Sequence, residues 1–127
     1  RRQRQICIRD RFKEGRSGNE ITDTVMKKAT AAGLRPLLYS HPLGFHGHAA
    51  GPPMDARPLA SAPEGIRVNM EYLLYPDTAY SIEFSATTSV PEWGGQDVRI
   101  GFEEDALFTN GKCRYIDGHQ KKFLLIK

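Results

Sequence analysis

Apolar residues recur at helical spacing in the first third of the chain, where they predict two helices. The tetrapeptide "SGNE" at 17–20 has the form of a capping box, in which serine and glutamate side chains satisfy each other's backbone amides. Apolar residues then recur on one helical face from Ile21 to Ala32, and Gly33 supplies a stop. Ile8 and Phe12 are one helical turn apart, which predicts a shorter first helix. The brief connection between the two predicts an αα-hairpin.

After residue 36 the pattern changes to a period of two, which is typical of β-strands. The alternation is strongest at 97–108 and at 78–86, where Tyr80, Ile82 and Phe84 share one side. "LLY" at 37–39 predicts a short earlier strand, "NG" at 110–111 a hairpin to "CRYI", and "KKFLLIK" a last strand. We therefore expect one α+β domain over residues 1–127, an αα-hairpin followed by a mostly antiparallel sheet.

Three of the four histidines fall in one segment, "YSHPLGFHGHAAGPPMD" at 39–55. Its glycines and prolines predict a loop, and a second loop is expected from 52 to 63. His41 precedes a proline and cannot lie inside a helix, whereas His46 and His48 share a face if the segment is extended. Loop histidines often face solvent. Neutral imidazole is also a common metal ligand and a general acid–base, so the segment is a candidate site.

Composition and charge exclude some classes of function for this chain. The 39% apolar and 26% charged fractions are ordinary for a globular domain, and the formal net charge is +3. Arginines at the start would suit nucleic acid or acidic lipid, but no nucleic-acid-binding motif follows them. No bilayer-spanning apolar run or signal peptide is visible, so we expect a cytoplasmic protein with neither a nucleic-acid nor a membrane partner. Cys7 and Cys113 match no metal or redox spacing and are expected to be free thiols.

Carboxylates on the predicted strands are further candidates. Glu83 lies on the polar side of an otherwise apolar strand, a position that also fits an ordinary outward-facing residue. "EED" at 103–105 places three acids in sequence, and such a cluster is either exposed to water or neutralised by a cation. Arg99 and Glu103 are an even number of positions apart, so they share a face unless a bulge separates them.

Taken in order, these segments resemble the C-terminal half of the pita-bread metallopeptidases, the superfamily of aminopeptidase P, prolidase, creatinase and methionine aminopeptidase. The family segment H-G-I-G-L-x-V-H-E is matched at 41–48, where His41, Gly44 and His48 keep their places. T-I-E-P-G is matched by "SIEFS" at 81–85, and V-R-I-E-D-D by "VRIGFEED" at 98–105. The order and spacing are most similar to the Xaa-Pro peptidase branch, which implies the curved sheet of the pita-bread fold.

The resemblance implies a role for each matched residue. His41, Glu83 and Glu103 would be metal ligands, and Glu83 would also handle the proton of the attacking water. His48 would contact the substrate and stabilise the tetrahedral intermediate, and Arg99 is a further candidate for substrate binding. The cofactor would be two divalent transition-metal ions, either manganese, cobalt, iron or zinc. The implied reaction is hydrolysis of an Xaa-Pro bond at a peptide N-terminus or in a dipeptide.

The sequence also departs from the family pattern. Pro42 replaces a glycine beside His41, "FS" at 84–85 replaces Pro-Gly, and "GF" is inserted at 101–102. Family members take two more ligands from aspartates in the preceding half-domain, for which Asp10 and Asp23 are poor substitutes because they lie on the predicted helices. We therefore expect the C-terminal portion of a catalytic domain, inactive alone, whose metal site is completed by ligands outside this chain.

One alternative function and the oligomeric state remain open at this point. The chain could be a non-catalytic binding module that kept the pita-bread fold and lost the metal site. Retention of an imidazole and two carboxylates at matching places favours the peptidase, since a binding module has no need of that set. The resemblance also leaves a homodimer possible, because relatives in the family are often dimers.

Overall fold

The computed structural model describes residues 8–51, 53–55, 72–118 and 126. Helix α1, Gly18–Ala31, begins with the predicted capping box: the Glu20 amide donates to the Ser17 hydroxyl, and the Ser17 amide donates to the Glu20 carboxylate at 2.9 Å. A cap of this kind stabilises a helix by about 1 kcal/mol. Gly33 follows the helix with a φ of +78°, a left-handed conformation that suits glycine. Within these residues, no helix is both long and apolar enough to cross a membrane.

Among the described residues, six strands form one open sheet in which every neighbouring pair is antiparallel. The strands are β1 (Arg35–Gly44), β2 (Gly47–His48), β3 (Met54–Asp55), β4 (Thr78–Val90), β5 (Gln96–Thr109) and β6 (Lys112–Tyr115). Their order across the sheet is β2-β1-β4-β5-β6, and β3 also pairs with β1. The β4–β5 ladder pairs every residue from Thr78 to Val90, so no bulge disturbs its alternation of faces.

Because directly opposed residues of antiparallel strands share a face, the sheet has an apolar and a polar side. Helix α1 contacts β1 and β3 on the apolar side, where Leu38, Ile82 and Phe84 are buried. The other members of the core are Ile8, Phe12, Ile21, Val25, Ala29, Met54, Leu74, Tyr80, Ala106 and Phe108. The polar side carries His41, Glu83 and Glu103 and has no helix of the described residues upon it.

The predicted α+β class is confirmed, but the predicted αα-hairpin is wrong. Where a first helix was expected, the described residues form only a 3₁₀ turn, Arg9–Arg11, and Phe12 is already extended with a ψ of 107°. Ile8 and Phe12 are both buried, as their spacing required. Two apolar positions one turn apart are satisfied equally well by a single turn, so their spacing alone could not establish a helix. In the described part of the chain, α1 is the one α-helix.

The strands predicted at 78–86 and 97–108 are confirmed, and both are longer than expected. The hairpin after β5 is confirmed as well, since Asn110 and Gly111 have φ values of +50° and +66°, as a tight two-residue turn requires. Of the loop predicted at 52–63, residues 54 and 55 form β3 instead, while 52 and 56–63 lie outside the described residues. All but one position of the predicted final strand, "KKFLLIK", also lie outside them.

The histidine segment is not the loop that its composition predicted, because β1 continues through His41 and Pro42 to Gly44. The Pro42 carbonyl accepts a hydrogen bond from the Ala49 amide at 2.9 Å, on the side of β1 that faces away from β4. The missing N–H of Pro42 is on that same side. Proline therefore removes no hydrogen bond from the β1–β4 ladder, and the strand tolerates it.

Candidate functional site

The polar side of the sheet brings the candidate residues together through strand register. Tyr39, Glu83 and Glu103 form one row across β1, β4 and β5, because each lies directly opposite the next. His41 and Ser81 form the neighbouring row. The three residues expected to bind metal therefore lie on one face of three adjacent strands, although 62 positions separate His41 from Glu103 along the chain.

His41 is held in an orientation that directs one ring nitrogen at a carboxylate. Its Nδ1 lies 2.9 Å from the Pro42 carbonyl, and its Nε2 lies 3.5 Å from Oε1 of Glu83. A carbonyl oxygen can only accept, so Nδ1 must carry a hydrogen. In the neutral ring the lone pair is then on Nε2, facing Glu83. Metal-binding histidines are commonly oriented by this kind of backbone hydrogen bond.

The second matched histidine lies against the first. The rings of His41 and His48 stack with centroids 3.6 Å apart and planes 12° from parallel, and Tyr39 Oη lies 3.3 Å from His48 Nε2. His41 is buried and His48 is exposed, so His48 is the imidazole within reach of a ligand from solvent. His46 lies exposed in the turn between β1 and β2, with its ring edge-on to Phe45.

The two carboxylates expected to bind metal lie directly opposite each other on β4 and β5. Like charges in this position repel and destabilise a sheet unless something neutralises them. Glu103 is exposed and accepts a hydrogen bond from the Ser81 hydroxyl at 3.0 Å, while Glu83 faces the His41 ring. The acidic run is divided between the faces: Glu104 lies on the apolar side opposite Ile82, and its two neighbours lie on the polar side.

Arg99 shares the polar face with Glu103, since β5 has no bulge between them. Its Nε donates to the Ser85 hydroxyl at 3.1 Å. A cavity of about 410 Å³ lies along this face, and Tyr39, Glu83, Arg99 and Glu103 are among the residues that line it. The cavity thus has a guanidinium and two carboxylates in its wall, and it could receive a small ligand that carries charges of both signs.

These side chains are of the types that bind a divalent cation, but they are too far apart to hold one in their present positions. Within residues 8–51, 53–55, 72–118 and 126, no three His, Cys, Asp or Glu side chains converge closely enough to hold a metal ion. An imidazole with a directed Nε2 and two adjacent carboxylates are nevertheless ligands that suit manganese, cobalt, iron or zinc. A cation between the carboxylates would also offset their repulsion.

Two residues that the sequence did not indicate lie beside these candidates. Tyr39 lies between His48 and Glu83, and its position two before His41 would have revealed the shared face if β1 had been predicted to continue. Asp55 lies opposite Tyr39 on β3 and adds a carboxylate to the same row. It fell within a segment that was predicted to be a loop, so no alternation pointed to it.

The two early aspartates are far from this face, as the sequence suggested. Asp10 lies in the 3₁₀ turn, 3.5 Å from the Arg9 guanidinium, and Asp23 is exposed on α1, which covers the apolar side. No protein-family model matches the chain, and no curated protein matches it significantly.

Proposed function

We propose that this chain is part of a metal-dependent peptidase that hydrolyses Xaa-Pro bonds, at a peptide N-terminus or in a dipeptide. The observation that supports it most directly is the cross-strand placement of Glu83 and Glu103 with His41 Nε2 directed at the first of them. Two carboxylates directly opposite each other repel and destabilise a sheet unless a positive charge offsets the repulsion. The motif resemblance supplies the reaction, since it matches these residues to a peptidase's ligands.

Five polar residues of the face have a part in this proposal. His41, Glu83 and Glu103 would hold the metal, together with ligands from outside this chain. A pair of divalent ions, when bound there, would acidify a water molecule and polarise the scissile carbonyl. Glu83 accepts the proton of the attacking water, and the exposed His48 donates a hydrogen bond to the substrate. Arg99, in the wall of the same cavity, attracts a substrate carboxylate.

Calorimetric titration with manganese and cobalt tests the metal site on this chain directly. We expect Glu83→Gln and Glu103→Gln each to weaken metal affinity by at least about tenfold, because each removes one anionic oxygen ligand. Glu104→Gln is the matched control, since it removes the same charge from the adjacent residue on the opposite face. Equal losses in all three variants would show only a general effect of charge and would contradict the site.

A non-catalytic binding module is the second candidate function. It is supported by the separation of the three expected ligands, which do not converge in the described residues. In this alternative the 410 Å³ cavity binds a small peptide or amino acid without hydrolysing it. Metal-independent binding of an Xaa-Pro dipeptide, lost in Arg99→Ala and retained in Glu83→Gln, would favour the module over the peptidase.

A further inference from the structure

A second cavity lies at the β6 end of the sheet, between the 3₁₀ turn and the β5–β6 hairpin. Its volume is about 650 Å³, within the range of about 300–1,000 Å³ that is usual for ligand sites. Phe12, Thr109 and Cys113 are among the residues that line it. None of its described lining residues also lines the cavity on the polar side of the sheet. The chain therefore offers a small molecule a second binding place, separate from the candidate site.

The wall of this second cavity is basic. Arg9 and Lys13 line it from the segment before α1, and Lys112 and Arg114 line it from β6. Asp10 is the one acidic residue among the described lining residues. Four basic residues against one acidic residue give the wall the same excess of positive charge as the whole chain carries, +3. Such a concentration of one sign of charge in a cleft attracts anions, and most strongly those that carry more than one charge.

The Arg9 guanidinium has a fixed orientation beside this cavity. Its Nε lies 3.5 Å from Oδ1 of Asp10, and its Cζ lies 5.7 Å from the centre of the Tyr115 ring. The ring face attracts the cation, and the contact with Asp10 through Nε leaves the two terminal amino groups for another acceptor. A guanidinium held in this way presents planar, paired donors, which match the oxygens of a phosphate group.

The outer edge of β6 adds a backbone donor. The Ile116 amide donates to the Asp105 carbonyl at 2.8 Å, so the backbone groups of Ile116 point towards β5. Backbone groups alternate in direction along a strand, and the N–H of Cys113, three residues earlier, therefore points away from β5. No strand of the described residues lies on that side of β6. Since Cys113 also lines the cavity, its N–H is a second donor for an anion bound beside Arg9.

We propose that this cavity binds the phosphate group of a small phosphorylated molecule. The terminal amino groups of Arg9 and the N–H of Cys113 donate to its oxygens, and Lys13 supplies a further positive charge. Lys112 and Arg114 add to the positive potential of the wall. A phosphate ester carries up to two negative charges and three acceptor oxygens, so it fits this excess of charge and donors better than a carboxylate does. The headgroup of an acidic phospholipid offers the same chemistry.

NMR titration with inorganic phosphate, in a chelator and at low ionic strength, tests the site. We expect the amide signals of Gly111 and Cys113, which line the cavity, to shift saturably in the wild-type chain. Arg9→Gln should weaken phosphate binding by at least about tenfold, because it removes charge-assisted hydrogen bonds. Lys27→Gln is the matched control, since it removes one positive charge from an exposed position of α1, the helix that contacts β1 and β3. Equal weakening in both variants, or no saturable shift in wild type, would overturn the proposal.

Two more variants keep the test decisive if Arg9→Gln does not fold. Lys13 is exposed, so Lys13→Gln leaves the core intact and should also weaken phosphate binding. Asp10→Asn should have the opposite effect and tighten it, because it removes a negative charge from the wall of the cavity. Unchanged phosphate affinity in both variants would overturn the proposal.

A vesicle assay distinguishes the two sources of phosphate. Wild-type chain is sedimented with phosphatidylcholine vesicles that do or do not contain phosphatidic acid. Binding only to the acidic vesicles, at lower phosphate concentrations than inorganic phosphate requires, would identify a lipid headgroup as the ligand. Saturable binding of inorganic phosphate without binding to vesicles would identify a soluble phosphorylated molecule. None of these measurements involves metal or hydrolysis, so their outcome is independent of the proposed peptidase.

Discussion

Removing one of the two opposed carboxylates should stabilise the metal-free protein. Glu83 and Glu103 lie directly opposite on antiparallel strands, where Cβ atoms are about 5 Å apart. Two unit charges at about 5 Å repel by about 0.8 kcal/mol in water, and the exposure of Glu103 lets salt reduce this further. Glutamine keeps an oxygen to accept from Ser81. We therefore expect Glu103→Gln to raise the free energy of unfolding by about 0.5 kcal/mol in a chelator.

Bound metal should make the wild-type protein more stable than Glu103→Gln, which is the reverse of their order in a chelator. A ligand that binds only the folded state stabilises it by RT ln(1 + [L]/Kd), or about 2.7 kcal/mol at one hundred times the Kd. Manganese should raise the free energy of unfolding of the wild-type protein by this amount, and it should raise that of Glu103→Gln much less. The assay is urea unfolding followed by circular dichroism, at low salt and at protein concentrations where the chain is monomeric, with Glu104→Gln as the control.

Two results would contradict these expectations. If Glu103→Gln is less stable than wild type in the chelator, the carboxylate makes a favourable contact and the opposed pair is not repulsive. If manganese stabilises wild type and Glu103→Gln equally, any bound cation is elsewhere. The Glu104→Gln control distinguishes both from a change in net charge, since it removes one negative charge from the opposite face.

Three further predictions concern buried and paired groups outside the site. The Tyr80 hydroxyl is buried without a partner among the described residues, so Tyr80→Phe should raise the free energy of unfolding by about 1 kcal/mol in thermal or urea denaturation, and a loss would reveal a hydrogen bond. Burial raises the pKa of the Cys113 thiol to about 12, so in a Cys7→Ser background it should react with a thiol reagent far more slowly in the folded than in the unfolded chain at pH 8. Arg35 hydrogen-bonds to Asp97 and lowers the pKa of that carboxyl below its ordinary 3.8. The stability that the Arg35–Asp97 pair contributes is therefore complete above pH 3.8 and is lost as the pH falls through the folded-state pKa of Asp97. NMR titration of the carboxyl groups in wild type and in Arg35→Ala would check this.

Local signals in the sequence predicted much of the fold. The capping box of α1 and the tight turn at Asn110 depend on neighbouring residues, so the sequence carries them in full. The alternation of apolar and polar residues in β4 and β5 likewise predicted which side of each strand is apolar. The 3₁₀ turn at residues 9–11 escaped prediction because two apolar positions cannot distinguish a turn from a short helix.

The site was less predictable, because it depends on register between distant strands. Alternation shows that Glu83 and Glu103 each lie on the polar side of a strand, but it cannot show that they lie opposite each other. Only the motif resemblance brought His41 to the same face, and it did so while the surrounding segment was predicted to be a loop. The loop was predicted partly because of Pro42. A proline interrupts a strand only if its missing N–H faces a hydrogen-bonded neighbour, and the sequence does not show which edge of β1 that N–H faces.

The most direct test of the peptidase proposal is the metal content of the complete gene product, purified without chelator, measured together with proline release from an Xaa-Pro peptide. We expect about two transition ions per chain and hydrolysis that Glu83→Gln abolishes and Glu104→Gln leaves intact. A well-folded product that binds no metal and releases no proline when manganese or cobalt is supplied would contradict it.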